Sequence, residues 1–311
     1  MEPGFESRWR YIVHLPVLVD SVVNLLDPCH GPHRLVQGGG GLLVDATVGS
    51  GGHSAALVEH IHSNCPDVNF KLIAIDRDKA LLAKTEERLA TIGGIEFHQS
   101  NFAELKRVLN SRRFDGLLLD LGFSSFQVDN PERGFSFRHA GPLDMRYDQT
   151  QELTAAHIVN HYPETKLREV IERYSGEHYV DRIAHAIIRR RPLYTTTQLA
   201  EIIAGAVPQA KSRLHPATRT FQALRIAVNG ELESLEEVLA TIPSLANPGA
   251  RVAIIAFHSL EDRMVRTAFK KWRKEGKGEF ITKKPITASP AEMRANPRSR
   301  SAHLWGFKFH N

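Results

Sequence analysis

Asp45-Ala46-Thr47-Val48-Gly49-Ser50-Gly51-Gly52-His53-Ser54 places an acid, a glycine-rich turn and a polar helix start within ten residues. Glycine in such a turn lets a ligand approach the backbone N–H groups at the start of a helix. No Gly-Lys-Ser/Thr follows, which excludes a phosphate-cradling P-loop, and Ser54 stands where a dinucleotide fingerprint wants Gly or Ala. Asp76 closes the next apolar run, where an acid at a strand end can accept hydrogen bonds from both ribose hydroxyls of a nucleoside. Nicotinamide and S-adenosylmethionine enzymes share that geometry. Asp45 before the loop and Asp120 further on favour the second, because several carboxylates suit a positively charged sulfonium and repel a pyrophosphate.

Other chemistries fit less well. Gly122-Phe123-Ser124-Ser125-Phe126 lacks the Gly-x-Ser-x-Gly elbow of a serine hydrolase. His60 and His62 are two apart and share no helix face, so no metal site is expected. His258, Glu261, Asp262 and Arg263 read either as substrate contacts or as a helix cap with Ser259 in the capping position. Arg189-Arg190-Arg191 and Lys270-Lys271-Trp272-Arg273-Lys274 are candidate phosphate contacts, against the reading of simple solvated faces. Phe123, Phe126, Phe135 and Phe137, with Arg133 and Arg138, could stack a splayed-out base or pack an insertion onto a sheet.

Positioning these residues requires strands that end at the acids. Gly41–Ala46, Lys71–Asp76, Ile95–His98 and Phe114–Asp120 are short apolar runs with the character of strands buried on both faces. Helices are predicted between them over Ser54–His62, Lys79–Leu89 and Glu104–Leu109, which gives a parallel sheet with right-handed crossovers. The alternation stops after Asp120. A Gly- and Pro-rich stretch leads into helical patterning from Leu153 to about Leu214, and Thr218–Leu245 reads as one long helix weakened by Gly230. Arg251–Phe257 returns to strand, Leu260–Lys274 to helix, and Leu304–Phe309 is a candidate last strand. The fold class is α/β, with the sheet interrupted by a helical insertion.

The composition accommodates this. Three hundred and eleven residues can bury a substantial core, and 42% hydrophobic against 24% charged residues argues against disorder. A net charge of +5 permits an acidic partner without demanding one. Two cysteines, Cys29 and Cys65, exclude a disulfide framework and point to a reducing compartment. No apolar run reaches membrane-spanning length and the first residues lack a secretory layout, so a soluble cytoplasmic chain with no membrane partner is expected.

Eight stretches in order resemble the S-adenosylmethionine-dependent small-subunit ribosomal RNA cytosine-N4 methyltransferases. They are His14–Leu18, the Asp45–Ser54 loop, Ile75–Asp78, Leu119–Ser125, Pro131–Arg138 running into Gly141–Arg146, Thr218–Arg225, Phe257–Arg263 and Asn296–Ala302. The resemblance implies a Rossmann-like methyltransferase sheet with an inserted helical domain. It divides the chain into residues 1–130, the insertion 131–217, and 218–311. It implies S-adenosylmethionine contacts at Gly51, Gly52, His53, Asp76, Phe102, Asp120 and Gln127, small-subunit RNA as partner, and methylation of a cytidine N4. The family's features also differ here at Phe126, where proline is usual, at Tyr147, where methionine is usual, and in the tail Ala302-His303-Leu304-Trp305, where basic residues are commoner.

Within that resemblance, Gly51 and Gly52 would admit the methionine end, Phe102 would pack on adenine, and Gln127 would hold a polar tail. A cytosine amine is a poor nucleophile because its lone pair is delocalised into the ring, so an acceptor for its N–H would orient it and offset developing charge. Asp120-Leu121-Gly122-Phe123 keeps the acid and aromatic of the amino-methyltransferase slot without its prolines, which makes Asp120 the catalytic candidate. A related methyltransferase on other RNA or DNA, and an idle RNA-binding assembly factor of the same fold, are the alternatives.

Overall fold

The computed structural model describes residues 15–26, 29, 41–208 and 215–310; His14 and the glycines before Gly41 lie outside that set. In chain order the elements are α1 (Val19–Leu26), β1 (Gly41–Asp45), α2 (Gly52–Asn64), β2 (Phe70–Asp76), α3 (Lys79–Leu89), β3 (Ile95–Gln99), α4 (Leu105–Leu109) and β4 (Phe114–Asp120). Then come α5 (Ser125–Asp129), α6 (Ala155–His161), α7 (Glu164–Ser175), α8 (Val180–Arg190), α9 (Thr196–Ala206), α10 (Thr218–Asn229) and α11 (Glu231–Leu245). The chain closes with β5 (Ala246–Ala256), α12 (Ser259–Lys274), β6 (Gly278–Phe280), β7 (Ile286–Thr287), α13 (Pro290–Ala295) and β8 (His303–Phe309).

The strands form one sheet in the order β3-β2-β1-β4-β5-β8-β6, with β7 also paired to β8. β1 to β5 run parallel and β8 runs antiparallel to β5. Continuous apolar strands are what a sheet covered on both faces requires. Leu117, Leu118 and Leu119 of β4 are fully buried, as are Ile73 and Ile75 of β2. On one face Leu105, Leu109, Val238, Ile242, Val265 and Phe269 pack against the sheet; on the other, Val22, Leu26, Ala56 and Leu57 do. The order turns around between β1 and β4, the crevice where open α/β sheets take their ligands. Asp45, Asp76 and Asp120 end β1, β2 and β4 at that carboxyl edge.

Phe123–Leu232 forms a separate compact unit, and the described residues up to Gly122 and from Glu233 onward form the other. The insertion is thus wider than the expected 131–217 at both ends. α10 accounts for one end: its Phe221, Leu224 and Val228 share a core with Leu167, Ile171, Ile187 and Leu199 of the helices before it. Gly230, at φ 59°, ends α10 and breaks the expected Thr218–Leu245 helix in two. At the other end, Phe123 stands 41% exposed under the Arg225 guanidinium, 4.8 Å from its ring centre, and Arg225 is held by both Glu231 oxygens.

A single disulfide joins Cys29 to Cys65, a pairing that two cysteines permit and that the expectation of a reducing compartment did not include. No helix among the described residues is long and apolar enough to cross a membrane.

Candidate active site

Asp45 is buried at the start of the glycine loop and organises it. Its Oδ2 accepts the Ser54 hydroxyl at 2.6 Å and its Oδ1 accepts the Thr47 N–H at 3.3 Å. Burial raises its pKa, partly countered by the Ser54 hydrogen bond and by His53. Thr47 passes the connection across the sheet, because its Oγ1 accepts the Asp120 N–H at 2.6 Å. Sequence reasoning treated Asp45 as one more strand-end charge and omitted Thr47 and Ser54. The signal was there, since a Thr and a Ser flank the glycines at short range.

Gly51 sits at φ 74°, a conformation that costs any L side chain, and starts α2. A Cβ there would lie 2.7 Å from Leu89 Cδ1, and one on Gly52 would lie 2.7 Å from Pro16 Cγ. Both glycines are therefore demanded by close packing of protein on protein. What remains for a ligand is the row of backbone N–H groups at the start of a 13-residue helix, the positive end of its dipole.

Asp76 links the loop to β2. Its Oδ2 accepts the Gly49 N–H at 2.9 Å and its Oδ1 the Asp78 N–H at 2.8 Å. Each oxygen keeps a second lone pair for a donor such as a ribose hydroxyl. Burial outweighs these bonds and pushes its pKa up to about 6. The consequences have opposite signs. In the ligand-free protein the raised pKa adds stability that is complete below the ordinary carboxylate pKa of 3.8 and is lost as pH rises through about 6. A hydroxyl donor prefers the ionised acid, so cofactor affinity rises across the same window. Thermal melts and calorimetric titrations between pH 4.5 and 7.5 should show this crossing, and Asp76→Asn should flatten both curves.

His53 is buried, at 6% exposure. Its Nε2 lies 2.8 Å from the Val17 carbonyl oxygen, which can only accept, so Nε2 carries a proton. Its Nδ1 faces Asp120 Oδ2 at 3.6 Å. Asp120 Oδ1 is buried and has no hydrogen-bond partner among the described residues. A buried acceptor without a partner is costly unless a ligand supplies the donor. Burial raises the Asp120 pKa; His53 lowers it, while Asp45 and Glu261 push it up.

The remaining predicted contacts fall in two places. Phe102 is half-buried in the turn after β3, on the same edge as Asp76, and packs on the core beneath. Gln127 belongs to the inserted unit, where its Oε1 accepts the Ser124 N–H at 3.0 Å in a capping box at the start of α5. Its carbonyl thus already serves the fold. Phe126 supplies an N–H to Ser124 Oγ at 3.2 Å, a bond that the usual proline lacks the hydrogen to make. Tyr147 stacks on Phe135 with ring centres 5.1 Å apart. In the tail, His303 Nδ1 and Trp305 Nε1 both meet Asp262 Oδ1 at 2.9 Å.

The cap of α12 is His258 and not Ser259. Its side chain accepts the Glu261 N–H, while Glu261 Oε2 accepts the N–H groups of Phe257 and His258. The cap reading holds with the imidazole in the place expected of the serine, because the backbone is still extended at 258.

A doubly wound sheet with a glycine turn after β1, an acid ending β2 and, ending β4, a buried acid with one oxygen unpaired among the described residues defines a Rossmann-like S-adenosylmethionine-dependent methyltransferase. The profile of the MraW methylase family matches residues 11–310. The chain is 48% identical over 294 residues to the ribosomal RNA small subunit methyltransferase H of Trichormus variabilis, covering 94% of this chain and 90% of that protein. It is 46% identical to the one from Cyanothece sp., covering 98% and 95%, and 49% identical to the one from Synechococcus elongatus, covering 85% and 87%. A solved rRNA methylase from Streptococcus thermophilus aligns with 94% of each chain at 11% identity and a TM-score of 0.42, too distant to carry an argument. The chain belongs to the MraW methylase family.

Proposed function

We infer that this chain transfers a methyl group from S-adenosylmethionine to N4 of a cytidine in small-subunit (16S) ribosomal RNA. The observation that supports the chemistry is the buried Oδ1 of Asp120, without a hydrogen-bond partner among the described residues, at the switch point of the sheet. Its relatives, named small-subunit ribosomal RNA methyltransferases, support the substrate. Comparing methylcytidine in small-subunit RNA from cells with and without the gene, by mass mapping, tests the reading; an unchanged pattern overturns it.

The residues of the sheet unit fit the cofactor: N–H groups at the start of α2 suit its carboxylate, Asp76 the ribose hydroxyls, Phe102 the adenine face, and Gly51, Gly52, His53 and Asp120 complete the set, while Gln127 is a contact that the resemblance alone implies. Bound S-adenosylmethionine supplies a methyl carbon on a positively charged sulfur. Asp120 Oδ1 would accept a hydrogen bond from the target amine and so orient that amine's lone pair for transfer. Asp120 would take up the proton that the amine loses on methylation, the cofactor leaving as its neutral thioether. His53 favours the ionised, proton-accepting form of Asp120 from the far side.

His53→Gln should therefore move the acidic limb of the rate profile to higher pH, since it removes the group that lowers the Asp120 pKa while Asp45 and Glu261 still raise it. Turnover should recover in alkaline buffer. A uniform loss at every pH would assign His53 to cofactor binding alone.

We place the chain in the cytoplasm, where its substrate is assembled. The Cys29–Cys65 bridge stands against that placement. Alkylation and mass spectrometry on protein taken rapidly from cells decide it: two modified cysteines fit the placement, and a retained bridge does not.

A further inference from the structure

α12 turns Val265, Phe269 and Trp272 toward the sheet, with Glu261 buried beside them. The opposite arc carries Arg263, Arg266, Lys270, Lys271 and Lys274, all exposed, and no acid. The two acids of the helix are engaged elsewhere: Glu261 closes its own cap and Asp262 holds His303 and Trp305. Arg263, Arg266, Lys270 and Lys274 have no ion-pair partner among the described residues.

Spacings of three, four and four residues align these side chains in one stripe, roughly 16 Å long at about 1.5 Å per residue. Like charges four apart on a helix repel, so the arrangement costs free energy in the absence of a counter-charge. A helix face that served only solubility would interleave the signs. Residues 263–284 hold nine Lys or Arg against two acids, a sum of +7 in a chain whose total is +5. All the rest of the chain therefore sums to −2, so the basic excess is concentrated here.

The stripe is also placed to matter. β5 pairs with β4 so that Ile255 lies beside Asp120, and α12 starts three residues after β5 ends. Its first turn thus rises from the same edge as Asp120.

We propose that the basic stripe of α12 is the surface along which the phosphate backbone of the RNA substrate lies on its way to the Asp120 edge. This rests on the reading of RNA as substrate. It assigns the phosphate grip to a helix of the methyltransferase sheet itself, in addition to anything the inserted unit contributes.

The test is a triple variant, Arg266→Gln with Lys270→Gln and Lys274→Gln, measured with unmodified 16S RNA transcript at several salt concentrations. Three lost phosphate contacts should reduce the slope of log affinity against log salt by about 2 to 3, with binding weaker by about tenfold near 0.1 M salt. The loss should appear as a raised KM for RNA, with kcat at saturating RNA and S-adenosylmethionine affinity unchanged. A charge-keeping triple, Arg266→Lys with Lys270→Arg and Lys274→Arg, should restore the slope. An unchanged slope in the Gln variant overturns the proposal, as does weakened binding to assembled subunits with unchanged binding to the bare transcript, which would point to a ribosomal protein. Failure of the unaltered protein to methylate any small-subunit RNA would count against the function and leave the slope comparison readable.

Discussion

Asp120→Asn is expected to lower methyl transfer by about 10²- to 10³-fold while S-adenosylmethionine affinity stays within a few-fold. The substitution is chosen because it keeps the shape. The new amide NH₂ can donate to His53 Nδ1, which lies 3.6 Å from the present carboxylate, and the other oxygen keeps its direction into the site. What disappears is the ability to take a proton. Since burial already raises the Asp120 pKa, a neutral side chain costs less there, and the melting temperature should hold or rise. Single-turnover rates with saturating RNA, beside calorimetry of cofactor binding, separate the two effects. Full turnover with normal binding would remove Asp120 from the chemistry.

The largest loss of stability is expected at Gly134→Ala, in the inserted unit. Gly134 has φ 70°, and a Cβ there would meet the Pro142 carbonyl oxygen at 2.2 Å and the Asp144 nitrogen at 2.9 Å. Both obstacles are backbone and neither can swing away. The left-handed conformation alone costs an alanine about 1 to 2 kcal/mol, and the collision should bring the total above about 3 kcal/mol. For a unit of this size that is a fall of at least roughly 10 °C in melting temperature. Gly176→Ala is the control: its φ is 61°, but a Cβ there meets nothing within 4 Å, so only the conformational cost applies. Scanning calorimetry of the full chain compares them, and equal shifts would refute the packing argument.

That packing explains why two separate sequence motifs both need glycine. Gly141 is the counterpart of Gly134: a Cβ there would meet the Pro131 carbonyl oxygen. Each motif's glycine thus receives the other motif's proline-bearing strand of backbone. Arg133 fastens the pair, its buried guanidinium donating to the carbonyls of Arg146 and Tyr147, while Met145 N–H returns a bond to the Arg133 carbonyl. The aromatic residues around it were legible in the sequence as either base-stacking or packing groups. Phe135 on Tyr147 and Phe137 on Phe221 make those two packing groups, whereas Phe123 remains exposed.

The sequence by itself determined the parallel sheet, its acids and its interruption. Strands buried on both faces must be continuous apolar runs, and an acid that ends such a run is visible in one dimension. Phe114–Asp120 was readable to the residue for that reason. The eight ordered motifs likewise identified the family without any coordinates. Tertiary structure alone decided what those residues face. Only the fold brings Val17 to His53, His53 to Asp120, and Thr47 to the Asp120 amide, because contacts across 36, 67 and 73 residues leave no local periodicity. It also adds close protein packing to the demands on Gly51 and Gly52, and it draws the edges of the inserted unit at Phe123 and Leu232. Spacing along a chain reports which face of an element is apolar. Which buried acceptor is left without a donor, and so waits for substrate, is a property of the assembled neighbours.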